Sequence, residues 1–517
     1  MNDSPIGPAE GRYRQLEPDR QPYLDRARDA AQYTIPALVP PDGFNSTSKL
    51  YQPFQSIGAR GVNNLASKLL LAILPPNAPF FRLRVNSFVA KELSQRENVM
   101  TEIEKGLAEF ERAVMEEIEG SNDRVVAFEA FKQLLVAGNV LFFDGPKGAR
   151  IYTLDRYVVR RDGSGNVLEI ITCETVAPQT LPKNVRQLIG HRIDDKTKNV
   201  DIFTHVRRDG DQWKVYQEVK GFRIPGSDGN YPLDKSPWIA LRFIRIDGED
   251  YGRGYVEEYL GDLKSLEALS KAIVEGSAAA AKVLFLVRPG GTTDAATLAK
   301  SPNGAIREGN KDDVTVLQME KFADFRVAFE TINQIAQRLA HAFLLNSAVQ
   351  RDAERVTAEE IRLMAQELED ALGGVYGILS QEFQLPYVNR KMAKMQRERS
   401  LPKLPKGVVK VAIVTGLEAL GRGHDRNRLV NFLTTLNQTL GPELIARYVN
   451  IGEAVARLAT ADGIDPNGLI KTEEQIAAEE MAAQQQALAN VYAPMVVDKL
   501  GTAMVEAQKQ GTPNGSQ

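Results

Sequence analysis

Hydrophobic positions follow a helical period in the first part of the chain. From residue 12 to residue 74 the pattern is mainly helical: one predicted helix ends before Pro36, and QSIGARGVNNLASKLLLAIL forms a second. Two more helices are predicted at residues 102–118 and 124–137. The second of these is followed by Gly138, and a glycine just past the last turn is a common way for a helix to end.

The period changes between residues 140 and 246. Short runs rich in Val, Ile, Tyr and Phe alternate with turn sequences there. RRDGSGN separates IYTLDRYVV from VLEIITCE, and RRDGDQ separates DIFTHV from WKVYQEV. Asp-Gly pairs between such runs are typical of hairpins. The pattern therefore predicts an antiparallel, β-rich unit.

Helical periodicity returns at residue 252 and continues on both sides of a small insertion. The first helix has an apolar stripe at Val256, Leu260, Leu263, Leu266 and Ile273. Its charged positions are Glu257, Glu258, Asp262, Lys264, Glu267 and Lys271. After VLFLV and a run of turns, a second helix has apolar residues at Phe325, Phe329, Ile332, Ile335, Leu339 and Phe343. The polar face of that helix carries Asn333, Gln334, Gln337, Arg338 and His341.

A short polar stretch with two arginines, Arg351 and Arg355, follows this helix. Thr357 and Glu360 then form a capping box, which predicts that the next helix begins at Thr357. From the residues alone, a solvated loop is favoured over a binding element for the two arginines. From about residue 417 the chain is helical again and rich in Ala and Gln.

Composition and charge limit the alternatives. A chain of 517 residues is expected to form roughly three units. The net charge of −3 gives no overall basic excess that would indicate a nucleic-acid partner, although local basic elements can act within a neutral average. The N-terminal sequence lacks the apolar core of a secretory signal, and LASKLLLAILPP is too short to span a bilayer.

Motifs for catalysis, metal binding and cofactor binding are missing from the sequence. It contains no phosphate loop, no dinucleotide-binding glycine fingerprint, no H-E-x-x-H and no G-x-S-x-G. The four histidines show no metal-ligand spacing, and a buried structural thiol is favoured for Cys173 over a nucleophile. Gly145 and Gly148 favour a hairpin turn over a phosphate cradle. We therefore expect no enzyme activity, no metal and no cofactor.

Six stretches carry a resemblance to a known family. In chain order they are GARGVNNLASKLLLAILPP with APFFRLRV, FKQLLVAGNVLFF, IDGEDYGRGYVEEYLGDLKSLE, AFLLNSAVQRDAERVTAEEIR, ELEDALGGVYGILSQEFQLP and TGLEALGRGHD. With these stretches the chain resembles, over almost its full length, the portal proteins (head-to-tail connectors) of short-tailed, podovirus-type double-stranded DNA bacteriophages.

The resemblance implies an α+β, mainly helical fold, the phage portal fold with wing, stem, clip and crown. It also implies a ring of about twelve identical chains around a central channel. The implied divisions are a wing at 1–251 (N-terminal helices, then the β-rich unit), a first stem helix at 252–282, a clip at 283–321, a second stem helix at 322–345, a tunnel loop at 346–356, a long wing helix and return at 357–416, a helical crown at 417–510 and a disordered tail at 511–517.

Candidate site residues follow from these divisions. In the tunnel loop they are Asn346, Gln350, Arg351 and Arg355, which would contact DNA phosphates without reading sequence. On the second stem helix the candidates for the channel face are Gln334, Arg338 and His341. In the clip, the candidate docking residues for an acidic partner surface are Lys300, Arg307 and Lys311. An alternative stays open for the loop: its arginines could instead pair with Asp352 or Glu354 of the neighbouring chain.

The expected function is that of a non-enzymatic portal at one capsid vertex, through which the genome is packaged and ejected. The resemblance implies these partners: further copies of the chain, double-stranded DNA without sequence specificity, the terminase large subunit, a tail adaptor, and the major capsid, scaffolding and internal core proteins. No membrane is implied. The expected location is the virion, at the head–tail junction, and the host cytoplasm during assembly. The alternative is another virion structural protein, such as a tail adaptor or internal core protein. A nucleotide-dependent enzyme of DNA metabolism is disfavoured by the missing phosphate loop.

Overall fold

The structure is a computed structural model. It describes residues 9–45, 47–76, 79–86, 99–189, 199–280, 284–317, 322–345, 374–402, 408–413 and 421–441, together with a few isolated positions. The chain divides into two compact units, Met1–Ala419 and Leu420–Gln517. Helices and strands are mixed in the first unit, and helix α12 is the longest described element of the second.

Along the sequence, most helices of the described residues come before or after a β-rich middle region, and α5 falls within it. In chain order they are α1 (Ala9–Gln32), α2 (Ile57–Ile73), α3 (Val99–Gly120), α4 (Asp123–Ala137), α5 (Lys183–Ile189), α6 (Tyr255–Glu258), α7 (Leu260–Ala280), α8 (Ala295–Ala299), α9 (Phe322–Ala342), α10 (Val375–Leu379), α11 (Leu385–Arg397) and α12 (Gly421–Leu440).

Within the described ranges, the strands form four antiparallel sheets. In chain order they are β1 (Phe81–Val85), β2 (Asn139–Gly145), β3 (Gly148–Tyr152), β4 (Tyr157–Arg161), β5 (Val167–Val176), β6 (Val200–Asp209), β7 (Gln212–Val219), β8 (Phe222–Arg223), β9 (Gly229–Pro232), β10 (Trp238–Arg242), β11 (Leu284–Val287), β12 (Val314–Leu317) and β13 (Val409–Ile413). The largest sheet has the order β4-β5-β6-β7-β8, with β9 also on β7. The others are β10-β2-β3, β1-β13 and β11-β12.

The predicted antiparallel middle region is confirmed. RRDGSGN joins β4 to β5, RRDGDQ joins β6 to β7, and both pairs are antiparallel. Gly145 and Gly148 face each other at the end of the β2–β3 hairpin, as the turn interpretation predicts. Cys173 lies in β5, and burial raises the pKa of its thiol to about 12, which is unfavourable for a nucleophile.

Helix α1 packs on one face of the largest sheet. Its buried Tyr13 and Leu16 meet Val158, Ile171 and Phe203 of the sheet in a small hydrophobic cluster. The buried guanidinium of Arg20 fastens the same contact: it donates to the hydroxyl of Tyr13 at 2.7 Å and to the carbonyls of Asp155 and Tyr157 at 2.9 and 3.2 Å. Because the two carbonyls belong to the chain around β4, they fix where α1 crosses the sheet.

The main hydrophobic core lies between α2, α4, α11 and the three-stranded sheet. Aromatic rings fill its centre: Phe383 packs edge-on against Phe131 and Phe142, and stacks on Tyr387. Phe383 belongs to a π-helical turn, Ser380–Gln384, between α10 and α11. Pro386 follows this turn and lacks the amide that a regular helix would need there, which provides a local reason for the wider turn.

A buried group of charges joins α11 to the same core. The ammonium of Lys391 lies 2.6 Å from Asp123 and 3.5 Å from Asp144, and all three side chains are buried. Arg390 lies 3.3 Å from the same Asp144 carboxylate, and Tyr387 donates to Asp123 at 2.5 Å. The two acids lie at the start of α4 and in β2, so these contacts hold α11 in one position on this core.

Candidate functional site

Helices α7 and α9 lie side by side and antiparallel. Asp262, near the start of α7, pairs with Arg338 near the end of α9, and Gly276 near the end of α7 packs on Phe325 near the start of α9. Between them the chain forms the β11–β12 ribbon and the short α8. The predicted order of helix, small insertion and helix is present, while its assignment to stem and clip stays a prediction.

The sequence predicts a single helix from residue 252 onward, but the structure divides it. Residues 252–254 are not helical, α6 covers Tyr255–Glu258, and α7 begins at Leu260. Close backbone packing explains the late start, because a β-carbon on Gly254 would overlap the carbonyl of Val136 at the end of α4. Asn139 also accepts from the Gly252 amide at 2.7 Å and donates to the Gly252 carbonyl at 2.8 Å.

The three predicted channel-face residues of α9, Gln334, Arg338 and His341, are all exposed. The guanidinium of Arg338 forms two hydrogen bonds with Asp262, at 2.8 and 3.2 Å, and these bonds raise the pKa of Arg338 above its ordinary value. In the single chain the charge of Arg338 is therefore matched by a carboxylate.

One acidic position of the first helix differs from the prediction. The sequence pattern places Glu267 on a charged outer face, whereas its side chain is buried. Its carboxylate accepts from the Tyr51 hydroxyl at 2.5 Å and from the backbone amides of Phe54 and Gln55 at 2.9 and 3.2 Å. Glu267 thus fixes the loop that leads into α2.

The predicted docking residues Lys300, Arg307 and Lys311 are exposed in the insertion between α7 and α9. Within residues 285–315 the one buried side chain is that of Asp313. Its carboxylate accepts from the amide and hydroxyl of Thr292 at 2.8 and 3.1 Å. A polar network, and no hydrophobic core, therefore organises this part of the single chain.

The predicted tunnel-loop residues Asn346, Gln350, Arg351 and Arg355 lie outside the described residues, as does the capping box at Thr357 and Glu360. The described chain reaches Leu345, so the structure shows how the polypeptide leaves α9. This exit is the candidate functional site, because it sets where the predicted loop begins.

One face of α2 contacts this exit. Gly61 lies against the ring of Phe343, so closely that a β-carbon would overlap the ring. Asn64 donates to the carbonyls of Phe343 and Leu344, both at 2.9 Å. The buried ammonium of Lys68 donates to the Leu344 carbonyl at 3.3 Å.

Tyrosines of the segment before α7 close the other side of the exit. The ring of Phe343 packs on Tyr255 and Tyr259, with centroids 5.9 Å apart in both cases. The hydroxyl of Tyr255 donates to the Ala342 carbonyl at 2.8 Å. Elements far apart in sequence therefore meet where α9 ends.

The described part of ELEDALGGVYGILSQEFQLP, which follows the predicted loop in sequence, packs on the same core. Gln384 donates to the carbonyl of Ile73 at the end of α2, at 2.6 Å. Glu382 accepts from the buried Arg242 of β10, also at 2.6 Å. Thus α2, which contacts the end of α9, also contacts the π-helical turn that precedes α11.

Sequence reasoning did not identify Asn64 or Lys68 as site residues. Gly61, Asn64 and Lys68 are spaced three and four residues apart, which places them on one face of a helix. That spacing is a signal for a specialised helix face. Its partner, the end of α9, is about 280 residues away and is not encoded in the local pattern.

The family comparison decides what kind of protein carries this arrangement. A family model described as "Bacteriophage head to tail connecting protein" matches residues 7–470. The chain is 43% identical to the portal protein of Escherichia phage T7 over 516 residues, covering 97% of this chain and 94% of that one. It is 45% identical to the portal protein of Enterobacteria phage T3 over 477 residues, covering 90% and 89%. The chain belongs to the family of podovirus portal proteins, the bacteriophage head-to-tail connecting proteins.

A more distant relative agrees with this membership. The portal protein of Enterobacteria phage SP6 is 32% identical over 481 residues, with 91% of this chain and 92% of that one covered. Among solved structures, a chain from the neck of an empty gene transfer agent particle has a TM-score of 0.37 at 11% identity, covering 76% of this chain and 89% of that one.

Family membership establishes portal function and does not favour the alternative of a tail adaptor or internal core protein. Portal proteins are structural components of the virion at the head–tail junction. The described helices include none that combines the length and apolarity needed to cross a bilayer. Groups of His, Cys, Asp or Glu suited to hold a metal ion are also absent from the part of the chain that the structure describes.

Proposed function

We propose that the chain forms a closed ring of about twelve copies at one capsid vertex, with double-stranded DNA passing through its centre during packaging and ejection. In this ring the segments at 252–282 and 322–345 are the stem, 283–321 the clip, 346–356 the tunnel loop, 1–251 and 357–416 the wing, and 417–510 the crown.

The observation that carries this proposal is the insertion between α7 and α9. A two-stranded ribbon is marginally stable alone in water, and β11–β12 has no buried hydrophobic side chain among residues 285–315. Large apolar side chains stay exposed on this ribbon and on the first half of α9, with exposed fractions of 63% for Phe285, 64% for Val327 and 57% for Phe329. Exposed apolar patches of this kind mark interaction surfaces. Neighbouring copies in a ring are the natural cover, since a cyclic assembly repeats one contact around the axis.

Ring symmetry also gives the predicted tunnel loop its role. A single pair of arginines on a loop contributes little, whereas about twelve copies of Arg351 and Arg355 around an axis form a ring of positive charge facing the DNA. Phosphate contacts carry no sequence information, which suits a channel that must accept any genome sequence. Asn346 and Gln350 supply further polar contacts in the same loop.

Further partners follow from the same assignment. The clip, with exposed Lys300, Arg307 and Lys311, docks the terminase large subunit during packaging and the tail adaptor afterwards. The major capsid, scaffolding and internal core proteins contact the ring in the host cytoplasm, where it assembles. The ring has no catalytic activity of its own, and the packaging ATPase is a separate chain.

Electron microscopy of the purified protein tests the ring. Negative-stain images should show a turbine-shaped particle with a central hole. Phe285→Glu combined with Phe329→Glu should leave a folded chain that no longer closes into rings, whereas Val125→Glu, at a 66% exposed position on α4, should assemble normally. A wild-type protein that stays monomeric under all solution conditions would refute the proposal.

A further inference from the structure

Helix α9 ends in a turn that leucine does not normally favour. Leu344 has a φ of +52°, in the left-handed region that glycine usually occupies at this position. The amide of Leu345 donates to the Ala340 carbonyl at 2.8 Å, and the amide of Leu344 donates to the His341 carbonyl at 3.0 Å. This is the hydrogen-bond pattern of a Schellman turn. Something other than backbone preference must therefore hold the turn.

The three carbonyls at the end of α9 all accept from side chains of distant elements. Tyr255 donates to the carbonyl of Ala342, and Asn64 donates to those of Phe343 and Leu344. Lys68 is a second donor to the Leu344 carbonyl. The last carbonyls of a helix lack intrahelical partners, and a positive charge beside them interacts favourably with the helix dipole. Side-chain donors from α2 and α6 thus bind the terminal carbonyls of α9.

The contact also fixes a direction. Asn64 bridges two successive carbonyls, which constrains the peptide planes on both sides of Leu344. Gly61, one turn earlier on the same helix face, leaves space for the Phe343 ring and allows α2 to approach this closely. If the carbonyls of Phe343 and Leu344 turned away, the amide of Asn64 would lose both acceptors in a part-buried setting, which is costly.

We propose that Asn64 and Lys68 are positioning residues that fix the direction in which the chain leaves α9. This proposal rests on the proposed function, because the segment that begins there is the predicted tunnel loop. A set direction places the loop of every copy at the same height and angle, so that the arginines of about twelve chains form one ring of charge. The register of that ring is then set by α2, an element of the wing.

Hydrogen–deuterium exchange on purified rings tests the turn without DNA. Asn64→Asp keeps the side-chain shape and removes the amide donor, and Lys68→Met keeps the aliphatic stem and removes the charge. Lys68→Met should accelerate exchange of the Leu344 and Leu345 amides by about tenfold, the factor for losing one hydrogen bond of ordinary strength. Asn64→Asp loses two hydrogen bonds to this turn and should accelerate exchange by more than that. Asn63→Asp, the exposed neighbour on the same helix, should exchange like wild type. Lys68→Arg, which keeps a cationic donor, should stay close to wild type.

DNA retention in packaged heads then tests the positioning role. Asn64→Asp should form normal rings but give heads that retain less full-length DNA than Asn63→Asp heads. Unchanged exchange in Asn64→Asp and Lys68→Met would overturn the proposal, and so would faster exchange with normal DNA retention. If replacing Arg351 and Arg355 by alanine leaves retention unchanged, the proposed DNA role of the loop fails, while the exchange result still decides whether Asn64 and Lys68 hold the turn.

Discussion

The ring of Phe343 occupies the space that a side chain on Gly61 would need. A β-carbon at Gly61 would overlap Cγ, Cβ and Cδ1 of Phe343. Phe343 is fully buried and also contacts Tyr255 and Tyr259. The second glycine of GARGV, Gly61, is therefore required by a contact with a residue 282 positions later in the chain.

Gly61→Ala should destabilise the protein through this overlap. Overpacking a well-filled core typically costs about 1–3 kcal/mol, and the buried Phe343 ring has little room to shift. Chemical denaturation measures the change in the free energy of unfolding. Gly106→Ala in α3 is the matched control: no atom lies within 4 Å of its β-carbon position, so alanine should be neutral or stabilising by up to about 1 kcal/mol. Equal effects at both sites would show that α2 does not pack on Phe343.

Lys391→Met should destabilise strongly because it leaves two buried carboxylates without their shared cation. Removing one partner of a buried ion pair typically costs about 3–5 kcal/mol. Arg397→Met, at an exposed position on the same helix, should change the free energy of unfolding by no more than about 0.5 kcal/mol.

A double variant separates the charge effect from packing at Lys391. In Lys391→Met with Asp123→Asn, the charge orphaned at Asp123 is gone and Asp144 keeps Arg390, so the loss should be smaller than the sum of the two single losses. Simple additivity in the denaturation curves would contradict the coupling between Lys391 and Asp123.

Acid should weaken the contact between α1 and the largest sheet. Burial alone would raise the pKa of Glu169, but hydrogen bonds from His205 at 2.6 Å and Arg12 at 3.0 Å outweigh it and lower the pKa to about 2. A lowered folded pKa means that the carboxylate stabilises the fold above its ordinary pKa of 4.5, and that this contribution is lost as the pH falls from there toward 2.

Glu169→Gln should therefore be less stable than wild type at neutral pH and should lose less stability on acidification. Denaturation midpoints measured at a series of pH values from about 6 to about 3 test this expectation. Glu116→Gln, at an exposed site on α3, should keep the wild-type slope. Parallel profiles for wild type and Glu169→Gln would contradict the assignment of the acid sensitivity to this carboxylate.

Local patterns predicted the elements well because their causes are local. Asp-Gly turns between alternating runs gave the β4–β5 and β6–β7 hairpins, and Gly138 does end α4, with a φ of +70°. Both features depend on residues within one turn of each other. The resemblance to portal proteins, and the portal function that it implied, are confirmed by the family comparison.

Long-range partners could not be predicted in this way. The local pattern predicts that Glu267 faces solvent. Its side chain is instead buried, and its carboxylate accepts from backbone amides more than 200 residues earlier in the chain. Phe329 fits the apolar stripe of α9, yet its side chain is 57% exposed in the single chain. The stripe is continuous because it serves two surfaces: Ile335, Leu339 and Phe343 pack inside the chain, and we assign Phe329 to the neighbouring copy.

The central claim is that Arg351 and Arg355 face DNA in an assembled ring. The most direct measurement compares ring formation and DNA retention for the variant in which both arginines are replaced by alanine. We expect this variant to form rings that are normal by electron microscopy and heads that fail to package or retain full-length DNA. Failure of the variant to form rings would contradict the account, because the arginines would then be ties between neighbouring subunits.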